Sequence, residues 1–237
     1  MSAITKILSL MNFKDSYGVS LKSQLFQNEL NWIVAETGVR PPQALFIPYA
    51  FRGADYQLYF QEVYDVFNHA QITLIDINSG DPASLIAAAK MIVIGGGDIT
   101  AFITKMKSLV TPTFDPFVAI KNRVASGIPY IGWNEGSSVV SPKYFIPPSS
   151  ILTNAFNASP YQIVCNYDRT DQNKAGIKTF LENNVAIKKV ICQVAKLKED
   201  GSSVRLEESG GGMIDSGTAP FPTVIRYQIV NGQLIES

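Results

Sequence analysis

The stretch Met91-Ile92-Val93-Ile94-Gly95-Gly96-Gly97-Asp98 is an apolar run that ends in three glycines and an acidic residue. A short apolar run bounded by glycines is typical of a strand buried on both faces of a parallel sheet. The residues that follow, up to Met106, place apolar side chains at helical spacing. This segment therefore predicts a buried strand that passes through a glycine-rich turn into a helix.

The same alternation of apolar strands and amphipathic helices extends over the first two thirds of the chain. It predicts an α/β fold with a doubly wound, mostly parallel sheet covered by helices on both faces. The predicted strands are residues 4–10, 44–49, 71–77, 91–94 and 128–132, and the predicted helices are residues 20–36, 56–67, 82–89, 99–106 and 114–124.

The last third of the chain has a different pattern, with one predicted helix near residues 172–182 and three predicted strands. The strands are expected at residues 188–196, 203–206 and 223–230. Asn231-Gly232, between two apolar runs, is typical of a tight hairpin turn. We expect antiparallel strands and this C-terminal hairpin to extend the sheet at its edge, and residues 1–237 to form a single domain.

Composition excludes several classes of protein. The chain has 237 residues with 20 basic and 20 acidic side chains, so it lacks the charge expected for binding nucleic acid or an anionic membrane. No apolar run approaches the roughly 20 residues of a membrane span, and no signal-peptide pattern is visible, so a cytoplasmic location is expected. The two cysteines and single histidine have no metal-ligand spacing, so no metal or cofactor is expected.

Two turns are candidate sites because ligands of open parallel sheets bind beyond the carboxyl ends of the strands. The first, Gly95–Gly97, lacks the spacing of a phosphate-binding loop. It is either a tight turn with Asp98 as the N-cap of the next helix, or a set of backbone donors for an oxyanion.

The second turn, Gly132-Trp133-Asn134-Glu135-Gly136, has the glycine–x–nucleophile–x–glycine frame of a nucleophile elbow. Asparagine tolerates the positive φ of the central position, but its carboxamide nitrogen is a poor nucleophile. Glu135 either binds a cationic group, acts as a base on water, or complements the dipole of the following helix.

Three segments of the chain resemble, in order and at similar spacing, the dipeptidase E family of serine peptidases and the related cyanophycinases. The resemblance extends from the first strand to about residue 182 and implies a fold like that of class I glutamine amidotransferase domains. Dipeptidase E enzymes hydrolyse aspartyl dipeptides. The segments are Phe46-Ile47-Pro48-Tyr49-Ala50, Ile92-Val93-Ile94-Gly95-Gly96-Gly97, and Tyr130-Ile131-Gly132-Trp133 followed by Gly136.

The resemblance places the family's catalytic serine at Asn134, where the family usually reads Gly-Trp-Ser-Ala-Gly, and its histidine at Asn166. No residue near Lys196–Asp200 is assigned as the acidic third member. The resemblance thus implies a homologue that keeps the pocket, lacks the Ser-His pair, and binds a small peptide or amino-acid-like ligand as a monomer or homodimer. The residues expected at this pocket are Gly95, Gly96, Gly97, Asn134, Glu135, Ser137 and Asn166.

Two other interpretations remain open. One is an active peptidase or amide hydrolase whose nucleophile is Ser137, Ser138 or Cys165, with Lys143 as a possible base; the other is a purely structural subunit. The serines could instead complete a helix N-terminus, and Cys165 could be a small buried residue. His69 lies between a predicted helix and the strand that follows it, so it is expected at the amino edge of the sheet, opposite the elbow. A strand of five or six residues spans about 17–20 Å, so His69 is out of reach of the elbow unless a second subunit supplies it.

Overall fold

The strands of the computed structural model form three sheets. The model describes residues 6–10, 30–35, 43–148, 150–194, 203–209, 212–218 and 224–237. In chain order, the strands are β1 (Lys6–Leu10), β2 (Gln43–Ile47), β3 (Thr73–Asp76), β4 (Ile92–Ile94), β5 (Tyr130–Trp133), β6 (Lys143–Ile146), β7 (Ser150–Asn154), β8 (Gln162–Tyr167), β9 (Val190–Val194), β10 (Ser203–Ser209), β11 (Gly212–Thr218), β12 (Val224–Val230) and β13 (Gln233–Glu236).

The helix predicted at residues 20–36 is described only at residues 30–35, of which 30–34 are helical and are called α1. Six further helices follow it along the chain. Most begin at an acidic or hydroxyl N-cap whose side chain accepts a backbone N–H bond, which explains where they start. None of the helices in the described part of the chain is long and apolar enough to cross a bilayer. The helices are α2 (Tyr56–His69), α3 (Pro82–Ala88), α4 (Ile99–Ser108), α5 (Pro116–Ala125), α6 (Glu135–Ser138) and α7 (Asp171–Asn183).

The main sheet has seven strands in the order β11-β10-β1-β5-β4-β2-β3, of which the last five are parallel. Alternate residues of β2 face opposite layers: Leu45 and Ile47 pack with α3, α4 and α5, whereas Ala44 and Phe46 pack with α1 and α2. Both faces of the sheet are therefore covered by helices. The prediction of a doubly wound, mostly parallel sheet is confirmed.

The position predicted for the C-terminal hairpin is wrong. β12 and β13 do pair around Asn231-Gly232, but they join β9 and β8 in a separate four-stranded sheet, in the order β13-β12-β9-β8. The antiparallel strands at the edge of the main sheet are β10 and β11. The hairpin goes elsewhere because Ile225 and Tyr227 of β12 pack against α7 in a core of their own.

A buried glutamine links the two larger sheets. The Oε1 atom of Gln193, on β9, accepts bonds from Ser9 Oγ on β1 at 3.1 Å and from Cys165 Sγ on β8 at 3.0 Å. Its Nε2 atom donates to the backbone carbonyl of Ser9 at 3.1 Å. Because a buried amide is stabilising only when its partners are in place, these bonds hold β8 and β9 in a fixed position against β1.

We expect Gln193→Leu to destabilise the protein by about 1–3 kcal/mol, because it leaves the buried hydroxyl and carbonyl of Ser9 without their partner. Equilibrium urea unfolding measures the change. The matched control is Gln233→Leu, since Gln233 is exposed on β13 and a substitution there should change the free energy of unfolding by less than about 0.5 kcal/mol. Equal stability of the two variants would show that the linkage contributes nothing.

Candidate functional site

The turn between β5 and α6, residues 132–136, is called the Asn134 turn below. Asn134 has φ 49° and ψ −125°, a backbone conformation that few non-glycine residues adopt. An ideal Cβ added to Gly132 would lie 2.4 Å from the carbonyl oxygen of Gly136, and one added to Gly136 would lie 2.2 Å from that of Ile94. Gly132 is therefore required for the tightness of the turn, and Gly136 for its close approach to β4.

The Gly95–Gly97 loop lies directly against this turn. A Cβ on Gly96 would be 2.5 Å from the Cβ of Asn134, so only glycine allows the approach. The loop is also fixed to the end of β2, because the N–H of Gly95 donates to the carbonyl of Ile47 at 3.4 Å. Asp98 then caps α4 by accepting the Ala101 N–H at 3.0 Å.

Glu135 changes the electrostatics of the site. Its Oε2 atom accepts the backbone N–H of Gly97 at 2.8 Å. Of the three N–H groups predicted as oxyanion donors, that of Gly97 is thus bonded to a carboxylate and that of Gly95 to a backbone carbonyl. The charge beside the loop is negative, which is unfavourable for an oxyanion and favourable for a cationic ligand group.

The structure brings Asn166 to the Asn134 turn. The Nδ2 atom of Asn166 donates to Oδ1 of Asn134 at 3.4 Å, a long contact between the exposed Asn166 and the half-buried Asn134. Asn166 itself has φ 54°, and the β8–β9 register shifts between Val164 and Tyr167. Such an irregularity redirects a side chain that a regular strand would place elsewhere.

The two serines of α6 are buried under the turn. The hydroxyl of Ser137 donates to the carbonyl of Gly132 at 2.6 Å, so it closes the turn from inside. Ser138 is 4% exposed. The proposed base, Lys143, donates from Nζ to Oδ1 of Asn154 at 2.6 Å on the neighbouring β7 strand.

Cys165 precedes Asn166 on β8 and is half-buried. Its thiol donates to Oε1 of Gln193 at 3.0 Å. Burial disfavours the thiolate and raises the pKa of Cys165 to about 12. Hydrogen bonds from Ser138 and Ser137 lower this pKa, and the charge of Glu135 raises it. At neutral pH the group is a thiol, whereas a nucleophilic cysteine needs a lowered pKa.

His69 is exposed at the end of α2 and precedes β3. In a parallel sheet this is the amino edge, whereas Asn134 follows the carboxyl end of β5. Because His69 is the chain's single histidine, no imidazole of this chain lies beside the Asn134 turn. The described residues also contain no group of three or more His, Cys, Asp or Glu side chains able to hold a metal ion.

Sequence reasoning missed three contacts that shape this site. The hydroxyl of buried Tyr130 donates to the carbonyl of Gly136 from below the turn. The Gly97–Glu135 bond joins residues 38 positions apart, and no local pattern signals it. The third contact is made by Gln193. The sequence could have indicated it, because Gln193 is a polar residue inside the otherwise apolar strand Val190–Val194.

A known protein family and several known proteins are similar to this chain. The family model of peptidase family S51 matches residues 17–209. Peptidase E of a Nostoc species is 30% identical over 177 residues, which cover 68% of this chain and 70% of that protein. Peptidase E of Shewanella baltica is 30% identical over 131 residues, and that of Actinobacillus pleuropneumoniae 27% over 124; the chain spans about half the length of each of these two.

Solved structures with this fold carry related names. A peptidase from an acI-B1 Actinobacterium superposes with a TM-score of 0.62 at 14% identity, over 100% of this chain and 95% of that one. A putative peptidase E from Listeria monocytogenes gives 0.56 at 14% identity, over 92% of this chain and 100% of the other. These structures show a shared fold, and the family model covers well over half of the sequence. The chain belongs to peptidase family S51.

Proposed function

We propose that this chain is a non-catalytic member of its family that binds a small peptide or amino-acid-like ligand at the Asn134 turn. The observation that carries the proposal is the contact of Asn134 with Asn166 at 3.4 Å. The resemblance to dipeptidase E implies that the serine and the histidine of the family correspond to these two positions. A nucleophile and its base must lie within hydrogen-bond reach, and two carboxamides now occupy that geometry without its chemistry.

The same residues suit binding. Each carboxamide offers a donor and an acceptor, so the pair can bind a carboxylate, a peptide group or an amine. Glu135 adds a carboxylate whose Oε2 atom accepts the Gly97 N–H. An α-ammonium group is the part of an amino acid or peptide that this charge attracts, whereas an oxyanion at the same place is repelled.

The rival function is hydrolysis by a relocated nucleophile at Ser137, Ser138 or Cys165. The Ser137 hydroxyl donates to Gly132 inside the turn, and the ammonium group of Lys143 is bonded to Asn154. Burial raises the pKa of the Cys165 thiol to about 12. Ser138 is buried. The burial of Ser138, the bonds of Ser137 and Lys143 and the raised pKa of Cys165 all oppose nucleophilic attack, so binding is the better-supported function.

Ligand binding is tested by thermal unfolding with aspartyl-leucine, an aspartyl dipeptide. At tenfold excess over Kd the ligand stabilises the folded state by about 1.4 kcal/mol, or about 3–5 °C in a chain of this size. We expect this shift, with the dipeptide recovered intact by mass spectrometry. Asn166→Ala should abolish the shift, whereas Asn183→Ala, at the exposed end of α7, should keep it.

Two outcomes would refute the proposal. Absence of any shift with aspartyl-leucine and with free amino acids at millimolar concentration would favour a purely structural subunit. Cleavage of the dipeptide, together with stoichiometric labelling of Ser137 or Ser138 by a fluorophosphonate, would establish the hydrolase.

Stepwise reversion tests why the site is inactive. We expect Asn134→Ser alone to give little dipeptide cleavage, because no imidazole of this chain lies beside the turn. Adding Asn166→His should raise the rate by about tenfold or more, since a positioned general base contributes about 10²–10⁴-fold. Adding Glu135→Ala should raise it again by removing the carboxylate from the Gly97 N–H.

The control for the reversion series is Asn134→Ala with Asn166→His, which has the base but no nucleophile and should be inactive. Cleavage is followed by chromatography of the released amino acids. If Asn134→Ser alone matched the double variant, a base other than residue 166 would have to be present.

The pH dependence of alkylation tests the state of Cys165. Because its pKa is raised to about 12, the thiolate fraction is minute at neutral pH and increases until the pH passes that value. We expect iodoacetamide to label the folded protein very slowly at pH 7, with a rate that keeps rising at pH 10. The urea-unfolded chain is the control, and its labelling rate should be half-maximal near the ordinary cysteine pKa. A folded-state plateau at or below pH 8 would contradict the assignment.

A further inference from the structure

A second concave site lies beside the Asn134 turn without including it. It is an open cleft of about 600 Å³ beyond the carboxyl ends of β2, β3 and β4, within the size range of small-molecule sites. Asn134, Glu135 and Asn166 do not line it. Its walls are the segment after β2, the first turn of α2, and one face of α4, with Tyr49, Phe51, Arg52, Asp98, Thr104 and Lys105 among the lining residues.

Rigid aromatic side chains form one wall of this cleft. The ring of Phe51 stacks on that of Tyr59 with centroids 4.2 Å apart and planes 3° from parallel. Tyr49 is half-buried and faces the same space. Flat apolar walls of this kind bind the hydrocarbon or aromatic part of a ligand.

The carboxylates at the cleft are already engaged by protein donors. Asp98 accepts the Ala101 N–H at 3.0 Å and the Arg52 Nε–H at 3.4 Å. Asp76, behind the lining, accepts the hydroxyl of Tyr56 and the backbone N–H of Asn78, the latter at 2.9 Å. Neither carboxylate therefore needs a cation from a ligand.

The two cationic side chains of the cleft, in contrast, have N–H donors without an acceptor among the described residues. Lys105 Nζ lies 5.6 Å from the ring centroid of Tyr49, and among the described residues no carboxylate pairs with it. Arg52 bonds to Asp98 through Nε, which leaves its two NH₂ groups without a described protein acceptor. The excess hydrogen-bonding capacity of the cleft is therefore cationic and favours an anion.

We propose that this cleft binds an organic carboxylate of amino-acid or dipeptide size that carries an aromatic side chain. The carboxylate lies between Lys105 and Arg52, and the side chain packs on Tyr49 and Phe51. Exposed cations alone contribute little binding energy, so the apolar contact is required as well. This site is independent of the function proposed for the Asn134 turn.

The test is a calorimetric titration of the full chain with N-acetylphenylalanine. Two further titrants separate the contributions: N-acetylphenylalanine amide lacks the charge, and inorganic phosphate lacks the apolar group. We expect binding of the carboxylate in the millimolar range or tighter, and binding weaker by about tenfold or more for the amide and for phosphate.

Variants locate the bound molecule. Lys105→Gln should weaken binding of N-acetylphenylalanine by about two- to fivefold, the range for an exposed ion pair. Lys107→Gln, an equal change of charge on the same helix outside the cleft lining, should leave it unchanged. Asn166→Ala should also leave it unchanged, which separates this site from the Asn134 turn. Equal binding of acid and amide, tighter binding of phosphate, equal effects of both lysine variants, or no binding at millimolar concentration would each overturn the proposal.

Discussion

The close approach of Gly136 to the carbonyl oxygen of Ile94 is the contact on which the candidate site depends. A methyl group at Gly136 would lie 2.2 Å from that oxygen, far inside van der Waals contact, so the backbone of α6 can reach β4 only without a side chain there. Tyr130 donates to the Gly136 carbonyl from below. These contacts involve the backbone, and none requires a particular side chain at residue 134. The shape of the turn is therefore compatible with a change of chemistry at its centre.

The main sheet could be predicted because its signals are local. Ile92 and Ile94 face one helical layer while Val93 faces the other, so the strand is apolar throughout and stands out from its glycine-rich boundary. The helices begin where acidic residues such as Asp98 and Asp115 cap them. Strand, turn and helix signals agree in this part of the chain, and such agreement makes a fold predictable from its sequence.

The strands within residues 143–167, and the sheet that the hairpin joins, are determined by contacts with segments that are distant in the sequence. β8 pairs with β9 across the whole of α7, in the register Val164 with Cys192, and nothing near β8 in the sequence specifies that partner. Asn231-Gly232 predicts a hairpin turn but not the sheet that the hairpin joins. The contact between Asn134 and Asn166 spans 32 residues, and only the family resemblance pointed to it before the structure did.

The position of Glu135 connects these observations to chemistry. One oxyanion-hole donor contributes about 2.7–4 kcal/mol to catalysis. The Glu135 carboxylate occupies one candidate donor, the Gly97 N–H, and its charge repels an oxyanion beside it. In the binding function proposed for this turn no oxyanion has to form, and the carboxylate carries no such penalty. The residues at 134, 135 and 166 are thus mutually consistent in a binding site, whereas in a peptidase each would oppose the reaction separately.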